Sequence, residues 1–202
     1  MGMKDFKLDF ILKTATELFV SSGIADVTIK DIADKAEIGE ATVYRYFGTK
    51  TNIVIACAMD LGKKTYEEFF DLSKGKTGYE KIEIFYSSYF NLFKKSPSHF
   101  YFIKEFDAYM RAHGEESLNE YEKAIDLFKR DFMDAYQLGL SDGSVKEIKQ
   151  IEVFYYSTTH ALLELCKKLS MKKGVLVQDK SLKKAAEIKC LVNIILSSIK
   201  NA

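Results

Sequence analysis

Proline occurs once in 202 residues, tryptophan is absent, and glycine is held to 11 positions. So few turn formers disfavour a loop-rich all-β sandwich, collagen and low-complexity disorder. The three cysteines, Cys57, Cys166 and Cys190, are odd in number and far apart. That argues against a secreted disulfide framework and for a reducing, cytoplasmic setting. Lys4 and Asp5 place charge at the start and no apolar stretch follows, so no signal peptide is expected. No uninterrupted apolar run approaches the roughly 20 residues of a membrane span. A dominant charge is missing too, with a net of only +1. Residues 167–202 hold nine basic side chains against two acidic ones, which reads as a solvated lysine face. His99, His113 and His160 are scattered, with no cysteine at ligand spacing, so neither a metal site nor a cofactor is expected. No nucleophile elbow, phosphate loop or metal constellation is visible, and an enzyme is not expected.

What remains is helical periodicity almost throughout. Ile11, Ala15, Leu18, Phe19 and Ser22 recur at helical spacing, so residues 5–22 read as an amphipathic helix ending before Gly23. Thr28 and Asp31 stand as a capping box for a short helix to about Ala36. A third helix is predicted over 40–47, stopped by Gly48, and a fourth from Thr49 to about Ser73. Further caps are expected at Thr77 with Glu80, Ser117 with Glu120, and Ser144 with Glu147. Pro97 opens the sixth helix, and a last helix covers about 180–200. The sum is an all-α chain of about nine helices. Val175–Val177 is too short to form a sheet. The first three helices form a small module at 1–48, and residues 49–202 form a larger helical domain.

Residues 28–47 have helix-turn-helix spacing, in which the second helix enters the DNA major groove. Ile32, Ala33, Ala36, Val43 and Phe47 can pack on Leu18 and Phe19, leaving Thr42, Tyr44, Arg45 and Tyr46 outside for phosphate and base-edge hydrogen bonds. Lys50, opening the fourth helix, and Thr28, opening the second, are placed for phosphates. The acids Asp9, Glu17, Asp26 and Asp34 must then face away from a duplex.

The run Ile11-Leu12 … Ala15 … Leu18-Phe19 … Gly23 … Thr28 … Ile32-Ala33 … Ala36 … Thr42-Val43-Tyr44-Arg45-Tyr46-Phe47-Gly48-Thr49-Lys50 closely resembles the tetracycline-repressor (TetR) family of bacterial transcription regulators. The resemblance spans roughly the first 55 residues. It implies DNA contacts from Thr28, Gly39, Glu40, Ala41, Thr42, Tyr44, Arg45, Tyr46 and Lys50. It also implies a homodimer on a palindromic operator and a small-molecule effector held in the larger domain. Three departures stand out. Glu37 replaces the family's usual turn glycine and is strained if φ is positive. Gly39 replaces a Ser or Thr cap, and Glu40 stands where many members carry lysine.

Of 27 aromatics, 14 lie within residues 66–109. Their Tyr and Phe mixture suits an apolar pocket with a few polar handles, lined by a subset of Tyr66, Phe70, Tyr86, Tyr89, Phe90, Phe106, Tyr109, Phe132 and Tyr155. An ordinary aromatic core is the other reading. Glu83, Glu105 and Asp107 are expected on solvated faces. Ile148, Ile151, Tyr155, Thr158, Leu162, Leu165 and Leu169 step by 3 and 4, a heptad seam. With Ile188, Leu191 and Ile195 of the last helix, this seam is the expected dimer interface. The expected function is a ligand-responsive DNA-binding regulator, a repressor released by a small hydrophobic or aromatic molecule. The alternative is a helical interaction protein without DNA binding.

Overall fold

The computed structural model describes residues 3–113, 118–171 and 183–201, with side chains described from Phe6 onward. Among the described residues there are nine α-helices: α1 (Met3–Ser22), α2 (Ile29–Lys35), α3 (Glu40–Phe47), α4 (Lys50–Phe69), α5 (Gly78–Lys95), α6 (Pro97–His113), α7 (Asn119–Ser141), α8 (Ile151–Ser170) and α9 (Lys184–Ile199). A short 3-10 turn, Leu72–Lys74, follows α4. The β-type pairing described is a single bridge, Val145 to Lys200. No described helix is long and apolar enough to cross a membrane. No cluster of three or more His, Cys, Asp or Glu suited to a metal ion occurs among the described residues. The expected cap at Ser117 and the Val175–Val177 segment lie outside the described residues.

Compactness divides the chain into two units. One is Met1–Lys63 with Tyr101–Ala124, the other Lys64–Phe100 with Ile125–Ala202. The first unit thus takes in α4 as far as Lys63 and most of α6 beside α1, α2 and α3. The physical reason is the apolar face of α4 and α6. Ile53, Val54, Cys57, Phe102, Phe106 and Tyr109 are buried in the same core as Ile11, Phe19, Ile32 and Val43.

In the first unit the sequence grammar is met closely. The Asp31 N–H donates to Thr28 Oγ1 at 3.1 Å, and the Thr28 N–H donates back to Asp31 Oδ2 at 2.7 Å, a complete capping box. The Thr28 hydroxyl and then the Thr28 N–H, both donating to Oδ2, hold the Asp31 carboxyl below its usual value. α2 ends with Ile38 N–H on Ala33 O (3.0 Å) and Glu37 N–H on Asp34 O (3.2 Å). That is the Schellman pattern, which wants a left-handed residue after the cap. Glu37 supplies it at φ +53°, the strain its side chain implied. Gly39 caps α3 without a side-chain bond.

The second unit departs from expectation at one point that organises it. Ser144 does not open α8, which begins at Ile151. Its Oγ accepts the Tyr79 N–H at 3.0 Å, while Asp142 Oδ2 accepts the Gly78 N–H at 2.8 Å and Thr77 Oγ1 accepts the Glu80 N–H at 3.2 Å. Three of the orphan donors of α5 are thus satisfied, two of them from a loop more than sixty residues away. The loop sits there because Gly78 and Gly139 let α5 and α7 touch backbone to backbone. A Cβ on Gly78 would lie 2.1 Å from the Gly139 nitrogen. Gly139 is accordingly buried inside α7, which runs on to Ser141. α4 likewise stops at Phe69, short of Ser73, and Asp71 caps the turn that follows by accepting the Ser73 N–H.

His99 is buried, its Nδ1 3.2 Å from Thr65 Oγ1. Burial pushes its pKa down from 6.5 to about 4. The folded chain therefore keeps His99 neutral where the unfolded chain binds a proton. The neutral ring's contribution is complete above about pH 6.5 and is lost as pH falls towards 4. Relative to His99→Gln, wild type is expected to lose about 2 kcal/mol between pH 7 and pH 5, from about 1.4 kcal/mol per pH unit. Urea unfolding of both proteins at the two pH values measures it. Equal losses would contradict the assignment.

Candidate nucleic-acid interface

α3 is sorted by its period. Val43 is wholly buried, and Tyr46 and Phe47 are partly buried against the first unit's core. Ala41, Tyr44, Arg45 and Gly48 fall at successive steps of three, one and three, all exposed, and make the outward stripe. Glu40 is exposed beside it and Thr42 is half-buried. Tyr46 is thus more inward than expected, and it carries the Arg45 guanidinium 5.6 Å above its ring. That leaves Tyr44, 49% exposed, with Arg45 and Glu40 as the long outward side chains of α3.

An open groove runs beside the stripe. It is lined by Val27, Thr28, Ile29, Lys30, Glu40, Tyr44, Gly48, Thr49 and Lys50. Five of the nine residues expected at DNA do not reach it, being on the stripe's other edge or turned in: Gly39, Ala41, Thr42, Arg45 and Tyr46. Lys30 and Thr49 line it without having been expected. Both flank the two helix starts, and the capping signals at Thr28 and Thr49 could have pointed to them. Thr28's hydroxyl is engaged by Asp31, at 2.7 Å from Oδ2. The Lys50 ammonium donates to the Ala25 carbonyl at 3.0 Å and lies 5.3 Å over the Tyr109 ring. Burial lowers the Lys50 pKa, against the pull of Asp26 and Asp31. Charge among the residues lining the groove is mixed, with Lys30 and Lys50 basic and Glu40 acidic.

In the second unit six of the nine aromatics expected around an effector form a ring network with partners from α4, α5, α7 and α8. Phe128, not anticipated, joins Tyr66 at 5.2 Å and Phe70 at 4.8 Å. Phe85, also new, bridges Phe70 (5.4 Å), Tyr86 (5.3 Å) and Phe132 (5.4 Å), and Phe132 meets Tyr155 at 5.1 Å. Tyr89 closes on Phe70 at 5.7 Å. Most of these contacts are edge-to-face, the arrangement of a packed aromatic core. Phe90 is apart from the network, under the ammoniums of Lys94 and Lys189. Phe106 and Tyr109 are apart too, buried in the first unit's core, because α6 changes unit at Tyr101. The Tyr86 hydroxyl meets Thr158 Oγ1 at 2.7 Å. Along the edge of the network lies an open groove of about 500 Å³ lined by Tyr66, Phe70, Asp71, Lys81, Asp131 and Asp134. There the Tyr66 hydroxyl donates to Asp131, and burial with that bond raises its pKa to about 12.

The heptad seam is turned inward. Tyr155, Leu162, Leu169, Ile188 and Ile195 are buried within their own unit, Leu162 and Ile188 fully, and Thr158, Leu165 and Leu191 are half-buried. A heptad reports a helix that packs against something, and here that something is the same chain. The faces of α8 and α9 left to solvent carry Val153 (57% exposed), Tyr156 (43%) and Ile194 (59%).

Small paired helices at the start, a left-handed turn between α2 and α3, and an exposed polar stripe on the second helix define a helix-turn-helix domain. Residues 11–57 match the bacterial regulatory proteins, tetR family. Over 54 residues the chain is 43% identical to the HTH-type transcriptional repressor Rv3405c of Mycobacterium tuberculosis and to the HTH-type transcriptional regulator Mb3439c of Mycobacterium bovis. That match covers 27% of this chain and 29% of each relative. Over the whole length the fold is similar to a TetR transcription regulator from Haloarcula marismortui (TM-score 0.75, 14% identity, 98% of this chain and 100% of that one). It is also similar to the ketosteroid transcriptional regulator KstR2 of Mycobacterium tuberculosis (TM-score 0.67, 14% identity, 95% and 94%). Residues 11–57 are thus similar to the N-terminal region of the tetR family, and the fold throughout is similar to that of solved regulators of that family.

Proposed function

We propose that the chain is a DNA-binding transcription regulator that responds to a small molecule, works as a homodimer in the cytoplasm, and acts as a repressor. The observation that carries this is the outward stripe Ala41, Tyr44 and Arg45 on α3, beside the groove of Thr28, Lys30 and Thr49, within the matched residues 11–57. Tyr44 and Arg45 supply base-edge and phosphate contacts, and Lys30 a phosphate contact. Glu40 can accept from cytosine N4. A twofold dimer sets two α3 helices about 34–36 Å apart, so the operator is an inverted repeat.

The exposed faces of α8 and α9, with Val153, Tyr156 and Ile194, are the surface for the second copy. The effector belongs to the second unit, beside the Tyr66–Phe70–Tyr155 network, and is small and mainly hydrophobic or aromatic. α4 is one continuous helix from Lys50 to Phe69 and gives a route from that unit to the start of the DNA-binding helices. An effector that prefers a spacing unsuited to the operator weakens DNA binding by linkage.

Selection of duplexes from a random-sequence pool tests the reading. Wild type is expected to draw out an inverted repeat, and Arg45→Ala to lose about tenfold or more in affinity for it, from about 1–3 kcal/mol per base contact. Recovery of unselected sequence alone would leave the helical interaction protein as the better description. Mass spectrometry of small molecules that co-purify addresses the effector.

A further inference from the structure

Lys50 is the first residue of α4, and a lysine at the start of a helix beside a groove is the natural choice for a phosphate. The side chain is committed elsewhere. Its ammonium donates to the carbonyl of Ala25 at 3.0 Å. Ala25 stands in the turn between α1 and α2, three residues before the cap Thr28. The same ammonium lies 5.3 Å from the centre of the Tyr109 ring, whose face attracts a cation. Lys50 is half-buried, so both partners act on it in a partly dry setting.

Tyr109 is itself held on three sides. It is buried, in the last turns of α6. Its hydroxyl is 3.3 Å from Thr51 Oγ1, one residue past Lys50. The imidazole of His113 stacks on it, with ring centres 4.4 Å apart and planes 15° from parallel, and His113 Nδ1 reaches the Tyr109 carbonyl at 3.1 Å. The ring is therefore a fixed platform, and the ammonium on it joins three chain segments of the first unit: the α1–α2 turn, the start of α4 and the end of α6.

We infer that Lys50 is a positioning residue rather than a phosphate ligand, a clip that ties Ala25 to Tyr109 and so sets the angle at which α2 and α3 meet DNA. This rests on the DNA-binding reading. It adds that Tyr109, a residue that does not line the groove, governs operator recognition through Lys50. A lost phosphate contact weakens every sequence alike and lowers the salt slope by about 0.9. A lost clip weakens the fitted sequence more than others and leaves the slope unchanged.

The test uses the full chain, a duplex selected by wild type from a random pool, and a scrambled duplex of equal length, each titrated at several KCl concentrations. Lys50→Met is expected to lose at least tenfold on the selected duplex and little on the scrambled one, at constant slope. Tyr109→Phe keeps the ring and is expected to bind as wild type. Tyr109→Leu is expected to match Lys50→Met, and the double variant to be no weaker than either, because both remove one clip. Acetic anhydride is expected to acetylate Lys50 several-fold faster in Tyr109→Leu than in wild type. Should Tyr109→Leu fail to fold, Lys50→Met and Tyr109→Phe decide alone. The inference is overturned if Lys50→Met weakens both duplexes equally and lowers the slope by about one, or if folded Tyr109→Leu binds the selected duplex as wild type does. A wild type that selects no sequence removes the DNA-binding reading itself, before any variant is compared.

Discussion

Gly78→Ala is expected to be the most damaging single-methyl change in the chain. The added Cβ would sit 2.1 Å from the Gly139 nitrogen, 2.2 Å from its Cα and 2.5 Å from the Ala135 oxygen. All three are backbone atoms, so no side chain can swing aside. α5 and α7 must part, and the bonds from Asp142 and Ser144 to the first turn of α5 lengthen or break with them. Overpacking against backbone together with loss of these caps corresponds to more than about 3 kcal/mol. For a chain of this size that lowers the melting temperature by about 10 °C, at 2–4 °C per kcal/mol. Gly62→Ala is the matched control. Gly62 lies within α4 and a Cβ there would meet nothing within 4 Å, so the change is expected to stabilise by roughly 0.5–1 kcal/mol. Calorimetry of the two variants checks both signs, and a Gly78→Ala protein that melts with wild type would contradict the close crossing.

Ile194→Asp is expected to give folded monomers that have lost operator binding. Ile194 is 59% exposed in the middle of α9, so a carboxylate there stays in water in the isolated chain and stability changes little. In a dimer built on this face the charge would be buried without a partner, which is strongly unfavourable. Tyr156→Asp on α8 is expected to act alike. Leu162→Asp is expected to behave differently. Leu162 is 0% exposed within its own unit, so the charge breaks the core and the protein unfolds. Light scattering and circular dichroism separate the two outcomes. An Ile194→Asp protein that remains dimeric would move the interface off α9.

The contrast between Leu162 and Ile194 marks where sequence reasoning reached its limit. Period 3.5 identifies the face of α8 that is buried, but it carries no information on which helix buries it. The seam meets its own chain, and the large apolar residues left to solvent on α8 and α9 are those with no repeat to announce them. The same limit explains Ser144. Its spacing to Glu147 is that of a capping box, yet a loop sixty-five residues along from Tyr79 can serve another helix, and local spacing cannot see that competition. Thr28 with Asp31 and Thr77 with Glu80 were legible because both halves of each cap lie within one turn. Glu37 was legible only through the family resemblance, as the residue standing at the usual turn glycine, and its φ of +53° makes it the left-handed residue of the Schellman turn. The expected aromatic set includes six rings that meet in one network, Phe70, Tyr86 and Tyr155 among them. It was extended too far at Phe106 and Tyr109, because α6 runs unbroken in sequence while its side chains serve two different cores. Lys50 lines the groove, but the groups that hold its ammonium, on Ala25 and Tyr109, lie 25 and 59 residues away, beyond any motif.

The three cysteines offer a built-in count of folded molecules. Cys57 and Cys166 are buried, and burial raises the Cys166 thiol to about 12, far from the thiolate that alkylating reagents need. Cys190 lies exposed on α9. A native sample therefore presents one reactive thiol per chain and a denatured sample presents three. A simple thiol titration then reports the folded fraction of any variant without an added probe. If the second copy covers α9, the rate at which Cys190 reacts will fall as protein concentration rises, so that one reagent follows folding by stoichiometry and assembly by rate.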